Sequence, residues 1–146
     1  MKALFLLLIP AMSFGQWYKI DLNDVAVIAT QSIAGGFDGW NQNIIHHRYG
    51  VGKPFWDNHT SWKRKYKDYD NGDLRAKFFL SKSVLVGATD GFHMTRSVSR
   101  MATLATIGIV AGDWKDYPKG QRWLIVAKKI VLSIIANRVT FQIVYK

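Results

Sequence analysis

The chain has 146 residues, 20 Lys and Arg against 10 acids that are all Asp, a formal net charge of +10 and no cysteine, and 49% of it is hydrophobic. Disulfides, thiolate catalysis, Cys-ligated metals and every Glu-based motif are excluded, HExxH and the Glu-closed calcium loop among them. The length suits one domain that buries a core without covalent staples.

Met1-Lys2 is followed by an apolar run, Ala3 to Met12, and by Ser13-Phe14-Gly15, which puts small residues at the minus-three and minus-one positions of a cleavage site before Gln16. This predicts a signal peptide over residues 1–15 and a single helical domain over 16–146. The run is too short for a bilayer span of about twenty residues. An exported chain that loses only Lys2 stays strongly basic, and the polyanions it would meet outside the cytoplasm are lipid headgroups and other envelope polymers.

Three apolar stretches of helical character follow, separated by one polar insert. The first opens on the cap cluster Asp21-Leu22-Asn23-Asp24 and runs to about Arg48, with Gly35, Gly36 and Gly39 in its middle. The insert covers about residues 50–82. The second stretch, Ser83 to Ala111, stops at Gly112-Asp113, and the third begins near Pro118 and runs to Ala136. Its tail, Val139 to Tyr145, is β-prone and reads as a strand or as a continuation of the helix. The expected fold is therefore mainly α, a small bundle of about three core helices with an irregular aromatic and basic insert. Uncharged runs reach 13 residues at Val25–Phe37 and 12 at Met101–Gly112, and Lys128-Lys129 splits the third stretch, all short of a simple membrane span. Charged residues inside a span are tolerated where they face a bundle interior, so an embedded, a membrane-attached and a freely soluble arrangement all stay open.

Two helix faces carry polar stripes. Asp90, His93, Arg96 and Arg100 are spaced three, three and four, within an arc of about 120°. Asp24, Gln31, Gly35, Asp38, Gln42 and His46 fall within about 80° on the first helix. If the stripes face each other, Asp38 and Asp90 neutralise Arg96 and Arg100, and Gly35 lets the two helices approach. That cluster reads in three ways. It is a structural network of buried ion pairs, an anion site in which Arg96 and Arg100 receive a phosphate with Asp90 and His93 as candidate acid and base, or a metal site on Asp90, His93 and His46. Two ligands at i, i+3 are a weak metal signal, so no metal and no cofactor is expected. His47, turned about 100° from His46, reads as a surface residue.

In the insert, Trp56, Trp62, Tyr66 and Tyr69 interleave with Lys53, Lys63, Arg64, Lys65 and Lys67. Rings at headgroup depth and cations on phosphates suit a membrane interface, to which Trp56, Trp62, Lys63, Arg64, Lys65, Tyr66 and Lys67 are assigned. The same mixture suits single-stranded nucleic acid, a partner that export makes unsuitable, and an ordered loop capping the bundle is the alternative. Asp68 to Asp73 has its Gly one place early for a calcium loop and reads as a turn.

Asp38-Gly-Trp40, Phe55-Trp-Asp-Asn, Ser61-Trp-Lys-Arg-Lys-Tyr-Lys67 and Thr89-Asp-Gly-Phe-His-Met94 together resemble small exported or membrane proteins of Bacteroidetes bacteria or their phages, over about residues 35–100. The resemblance implies an envelope location and joint importance of these motifs, and it carries no activity. The reading is an exported, periplasmic or membrane-associated helical protein that binds anionic lipid or a membrane partner, a non-enzymatic role being preferred and enzyme status left open. The alternative is an enzyme acting on a phosphorylated lipid, or another anionic envelope substrate, through the Asp/His/Arg cluster.

Overall fold

Asp21 stands in extended conformation before the first helix and accepts from the backbone N–H of Asp24 at 2.7 Å, while the Asp24 carboxylate accepts from the backbone N–H of Asp21 at 3.1 Å. This reciprocal capping box starts α1 (Leu22–His46) at the expected place. The computed structural model describes residues 19–47 and 49–145; the expected signal peptide lies outside them. After α1 come a 3₁₀ turn at Ser61–Lys65, an antiparallel hairpin of β1 (Tyr66–Asp68) and β2 (Asp73–Ala76), a second 3₁₀ turn at Val86–Ala88, and then α2 (Gly91–Asp113) and α3 (Arg122–Val144). The fold is the expected small bundle of three helices, with a two-stranded sheet inside the insert where irregular chain was expected.

The start of the second helix differs from the sequence reading, and the tail left open between strand and helix is helical. Residues 83–90 form turns, not a first helical segment, with Ser83 and Leu85 donating to the carbonyl of Leu80. Asp90, extended at φ −154, caps α2 by accepting from the backbone N–H of His93 at 2.8 Å. At the other end of the chain the β-prone tail is helical through Val144. Packing against α1 overrides its β-branched composition, and Thr140 turns its hydroxyl back onto the Ala136 carbonyl at 2.7 Å.

The bundle is organised on α1, against which both other helices pack. Asn41 meets Thr95, Thr30 meets Thr106 and Asn23 meets Asp113, so α2 runs antiparallel to α1. Asp24 meets Lys128 and Asn43 meets Val144, so α3 runs parallel to it. Gly35 makes the second packing possible: a Cβ there would sit 2.2 Å from the Asn137 carbonyl oxygen, and one at Gly39, four residues on, 2.9 Å from that of Phe141. Small residues at this spacing let two helix backbones come close. The expectation that Gly35 admits α2 is thus corrected, since the helix it admits is α3.

What lies inside is unusual. Among the described residues five hydrophobic side chains are buried, Val27, Ala34, Ile44, Ile125 and Ala136, against fourteen polar or charged ones. Large apolar side chains instead face outward, including Met101, Leu104 and Ile107 on α2 and Ile130, Val131, Ile134, Ile135 and Ile143 on α3. The helix interfaces are held by bonds such as Gln31 to Thr106 at 2.9 Å and Asn41 to Thr95 at 2.8 Å. Aromatic rings mark both ends. Trp114 and Trp123 meet at 5.0 Å where α2 ends and α3 begins, and Trp40, Tyr49 and Trp56 gather where α1 ends and α2 begins.

Candidate functional site

The Thr89-Asp90-Gly91-Phe92-His93 motif is a helix start fitted against the insert. The buried Asp90 carboxylate accepts from the His93 backbone and lies 2.8 Å from His93 Nδ1, and the Thr89 hydroxyl donates to it at 3.3 Å. Spacing three therefore reflects the cap and its third helical residue, not a shared helix face. Gly91 is needed because a Cβ would meet the Trp56 ring at 2.1 Å. Trp56 in turn stacks on Trp40 at 4.7 Å, and the Gly91 N–H donates to the Phe55 carbonyl at 2.7 Å. Arg64 Nε reaches the Thr89 carbonyl at 3.0 Å. The Asp38-Gly-Trp, Phe-Trp-Asp and Thr-Asp-Gly-Phe-His pieces, far apart in sequence, form one clamp.

The arginines of the stripe lie outside it. Arg96 and Arg100 are both exposed, and no ion pair joins either one to Asp38 or Asp90 among the described residues. Arg96 stacks over Phe92 at 5.9 Å and, with Asp38, Asn41, Gln42 and His46, lines an open groove of about 470 Å³ closed on one side by Phe141 and Tyr145. Asp38, Gln42 and His46 of the first stripe and Arg96 of the second thus share this groove. Arg100, Asp90 and His93 do not line it. The expected pairing out of bulk water is corrected: Asp90 is buried with His93 and backbone groups, and Asp38 and the two arginines face water. The candidate acid and base are occupied by each other away from the groove, and Asp90, His93 and His46 do not assemble. Among the described residues no group of three or more metal-ligating side chains is placed to hold a metal. His47 is on the surface, its ring 5.1 Å from that of Tyr145.

The buried charge cluster sits at the opposite end of the bundle and, Asp24 of the first stripe apart, on residues the stripes did not select. Lys129, fully enclosed on α3, lies 2.7 Å from Asp113 of α2 and 3.2 Å from the enclosed Asp24 of α1, with Asp21 at 3.7 Å. Lys128 pairs with Asp24 and donates to the Lys19 carbonyl at 2.7 Å. Asn23 bonds Asp113, and the Tyr117 hydroxyl donates to Asp21 at 2.9 Å. Burial alone would push the Lys129 ammonium down, but Asp113 and Asp24 outweigh it and hold its pKa above the ordinary value. Burial pushes Asp21 up, and the Asp24 N–H, the Tyr117 hydroxyl and the two lysines together bring it below. Burial and the Asp21 carboxylate both raise the Tyr117 phenol. One signal could have located this cluster: Lys128-Lys129 interrupts an apolar helix in the register where Asp24 opens α1 and Asp113 closes α2.

The insert presents its cations to solvent and to its own rings. Lys65 and Lys82 lie over Tyr66 at 5.3 Å each, and Lys63 lies over Tyr69 at 5.2 Å while pairing with Asp70 at 2.7 Å. The Trp62 indole donates to the His59 carbonyl at 2.9 Å and packs edge-on against Tyr69. Asp68 to Asp73 is the hairpin turn, where Asp68 accepts from the Asn71 side chain at 2.7 Å. Compared with known proteins, the chain matches no family model, no curated protein and no solved structure.

Proposed function

We propose that the protein is an exported, envelope-associated helical bundle that holds its apolar outer surface against lipid and binds anionic headgroups through its insert. The observation that carries this reading is the inverted distribution of side chains. Polar groups fill the helix interfaces while isoleucine, leucine and valine cover the outer faces of α2 and α3. In water such a contiguous apolar surface is a liability; against lipid it is the favourable arrangement, with polar and charged groups paired inside. Aromatic rings at both ends of the bundle and the lysines of the insert suit the interfacial zone. No helix among the described residues is long and apolar enough to cross a membrane. The membrane reading therefore rests on the outer surface and not on a hydropathy run.

Fractionation of cells carrying a C-terminally tagged full chain tests this directly. The expected result is a membrane pellet that resists a carbonate wash and is released by detergent, in a form whose intact mass starts at Gln16. Recovery in the soluble fraction would overturn the membrane reading, and a mass that includes Met1 would overturn cleavage. Changing Lys63, Arg64, Lys65 and Lys67 together to Gln removes about 1 kcal/mol per residue of attraction to an anionic surface, a weakening of several hundred-fold or more on anionic vesicles with little change on neutral ones.

A further inference from the structure

The groove of about 470 Å³ at the end where α1 stops and α2 starts holds two opposite charges that do not meet. Asp38 stands on α1 and Arg96 on α2, both exposed, and among the described residues neither side chain makes an ion pair or a hydrogen bond. Arg138, which shares a neighbouring cleft with Asp38, does not pair with it either. One turn along α1 from Asp38, Asn41 is only 6% exposed and borders the same groove. Its amide nitrogen donates to the Phe92 carbonyl at 2.9 Å and to the Thr95 hydroxyl at 2.8 Å. Because the Phe92 carbonyl can only accept, the orientation of the amide is fixed and both of its hydrogens are spent. What Asn41 has left is its carbonyl oxygen, to which no donor is bonded among the described residues. A carboxylate and an unused amide oxygen, three residues apart on one helix face, are two acceptors that lack N–H donors. Arg96 has the opposite need, since a guanidinium offers only donors and a positive charge.

We propose that this groove binds a zwitterion made of a primary ammonium and a phosphate, presented by the headgroup of phosphatidylethanolamine, with the ammonium on Asp38 and Asn41 and the phosphate on Arg96. A net-neutral ligand with one charge of each sign answers one free carboxylate and one free guanidinium. A primary ammonium brings three N–H donors to the two acceptors, whereas a trimethylated one brings none. Phe141 and Tyr145 of α3 supply the apolar side of the groove, and its volume falls in the range of about 300–1,000 Å³ usual for small-molecule sites. The insert leaves α1 and returns to α2 at this same end of the bundle, so its lysines and the groove meet the headgroup zone together. The proposal rests on the envelope-associated reading above and adds recognition of one headgroup to diffuse attraction by the insert.

The test uses the full chain on two sets of vesicles with the same fraction of phosphatidylglycerol, the remainder being phosphatidylcholine in one and an equal mixture of phosphatidylcholine and phosphatidylethanolamine in the other. Surface charge is then matched, and the insert meets the same field in both. The expected result is about five-fold or more tighter binding to the vesicles with phosphatidylethanolamine, and loss of that preference in Asp38→Asn and in Arg96→Gln. Both positions are exposed, so both variants should melt as the parent does. Arg100→Gln, one turn further along α2 and outside the groove, should keep the preference. Glycerophosphoethanolamine added to the detergent-solubilised chain should bind the parent and neither groove variant, and glycerophosphocholine should bind none of them. Equal binding of the two soluble esters overturns the ammonium contact, and a vesicle preference that survives both groove variants overturns the site. If glycerophosphoethanolamine binds the parent while the vesicles show no preference, the groove takes the soluble ester and the lipid assignment falls. Equal binding to both vesicles without binding of either ester overturns the site and leaves the membrane reading standing. No binding to any vesicle or ester overturns both.

Discussion

Two charged constellations stand at opposite ends of the same bundle, and they behave differently. At one end Asp21, Asp24, Asp113, Lys128 and Lys129 close on one another away from water. At the other Asp38, Gln42, His46 and Arg96 line an open groove without an ion pair among them. Both sets are polar residues at helical spacing on apolar helices. What separates them is the neighbouring helix. α3 presents two lysines to the start of α1, where α2 also ends, so three elements enclose the charges. At the groove Phe141 and Tyr145 of α3 face the stripe without enclosing it, and its arginine stays solvated over Phe92. Spacing on one helix says which side chains share a face, and a neighbour with opposite charge decides whether that face is dry.

The largest difference between the ends is expected from removing Lys129. Lys129→Met leaves Asp24 and Asp113 enclosed without their shared cation and should lower unfolding stability by about 3–5 kcal/mol, measured by denaturant melts, whereas adding Asp24→Asn and Asp113→Asn should recover much of the loss. Equal cost for Lys129→Met and Arg96→Gln would break the comparison. The clamp between the insert and α2 comes next. Gly91→Ala drives a methyl group into the Trp56 ring and should cost about 1–3 kcal/mol, with a change in Trp fluorescence that reports the displaced Trp40–Trp56 stack. Asp90→Ala removes a cap and should cost about 0.5–2 kcal/mol, while Asp90→Asn, which still caps, should cost less. At the solvated end Arg96→Gln and Arg100→Gln should each stay within about 0.5 kcal/mol of the parent.

Acidity sharpens the same contrast. Asp21 has its folded pKa below the ordinary value of 3.8, so its contribution is complete above that value and is lost as the pH falls through the lower folded one. Lys129 is raised above 10.5, so its contribution is complete below that value and is lost as the pH rises through the higher folded one. Stability from the enclosed cluster should therefore be flat across neutral pH and fall at both extremes, and in Lys129→Met the alkaline fall should shrink. An alkaline fall in Lys129→Met as large as that of the parent would contradict this assignment.

Much of this architecture was legible in local chemistry. The capping box at Asp21 and Asp24, the stop at Asp113 and the polar stripe on α1 follow from side chains that interact within one or two turns of chain. The start of α2 was not legible, because Asp90 at three residues from His93 satisfies a helix face and an N-cap equally well on spacing alone. Only the turns through Leu80 and Leu85, held against the insert, choose the cap. Arg96 lines an open groove with Asp38 and Gln42 where a dry ion pair was expected, since nothing in a single helix tells which of its polar residues a neighbour will cover.

Composition and periodicity by themselves determined that this chain forms long helices with few candidate catalytic groups and a basic, aromatic insert, because helix formation depends on residues three or four apart. The tertiary structure alone decided that Gly35 admits α3 and not α2, that Lys128 and Lys129 supply the counter-charges to Asp24, and that Trp56 joins motifs from three regions of the chain. Those outcomes turn on which surfaces meet after the helices form. A contact between residues one hundred positions apart leaves no trace in the spacing of either one.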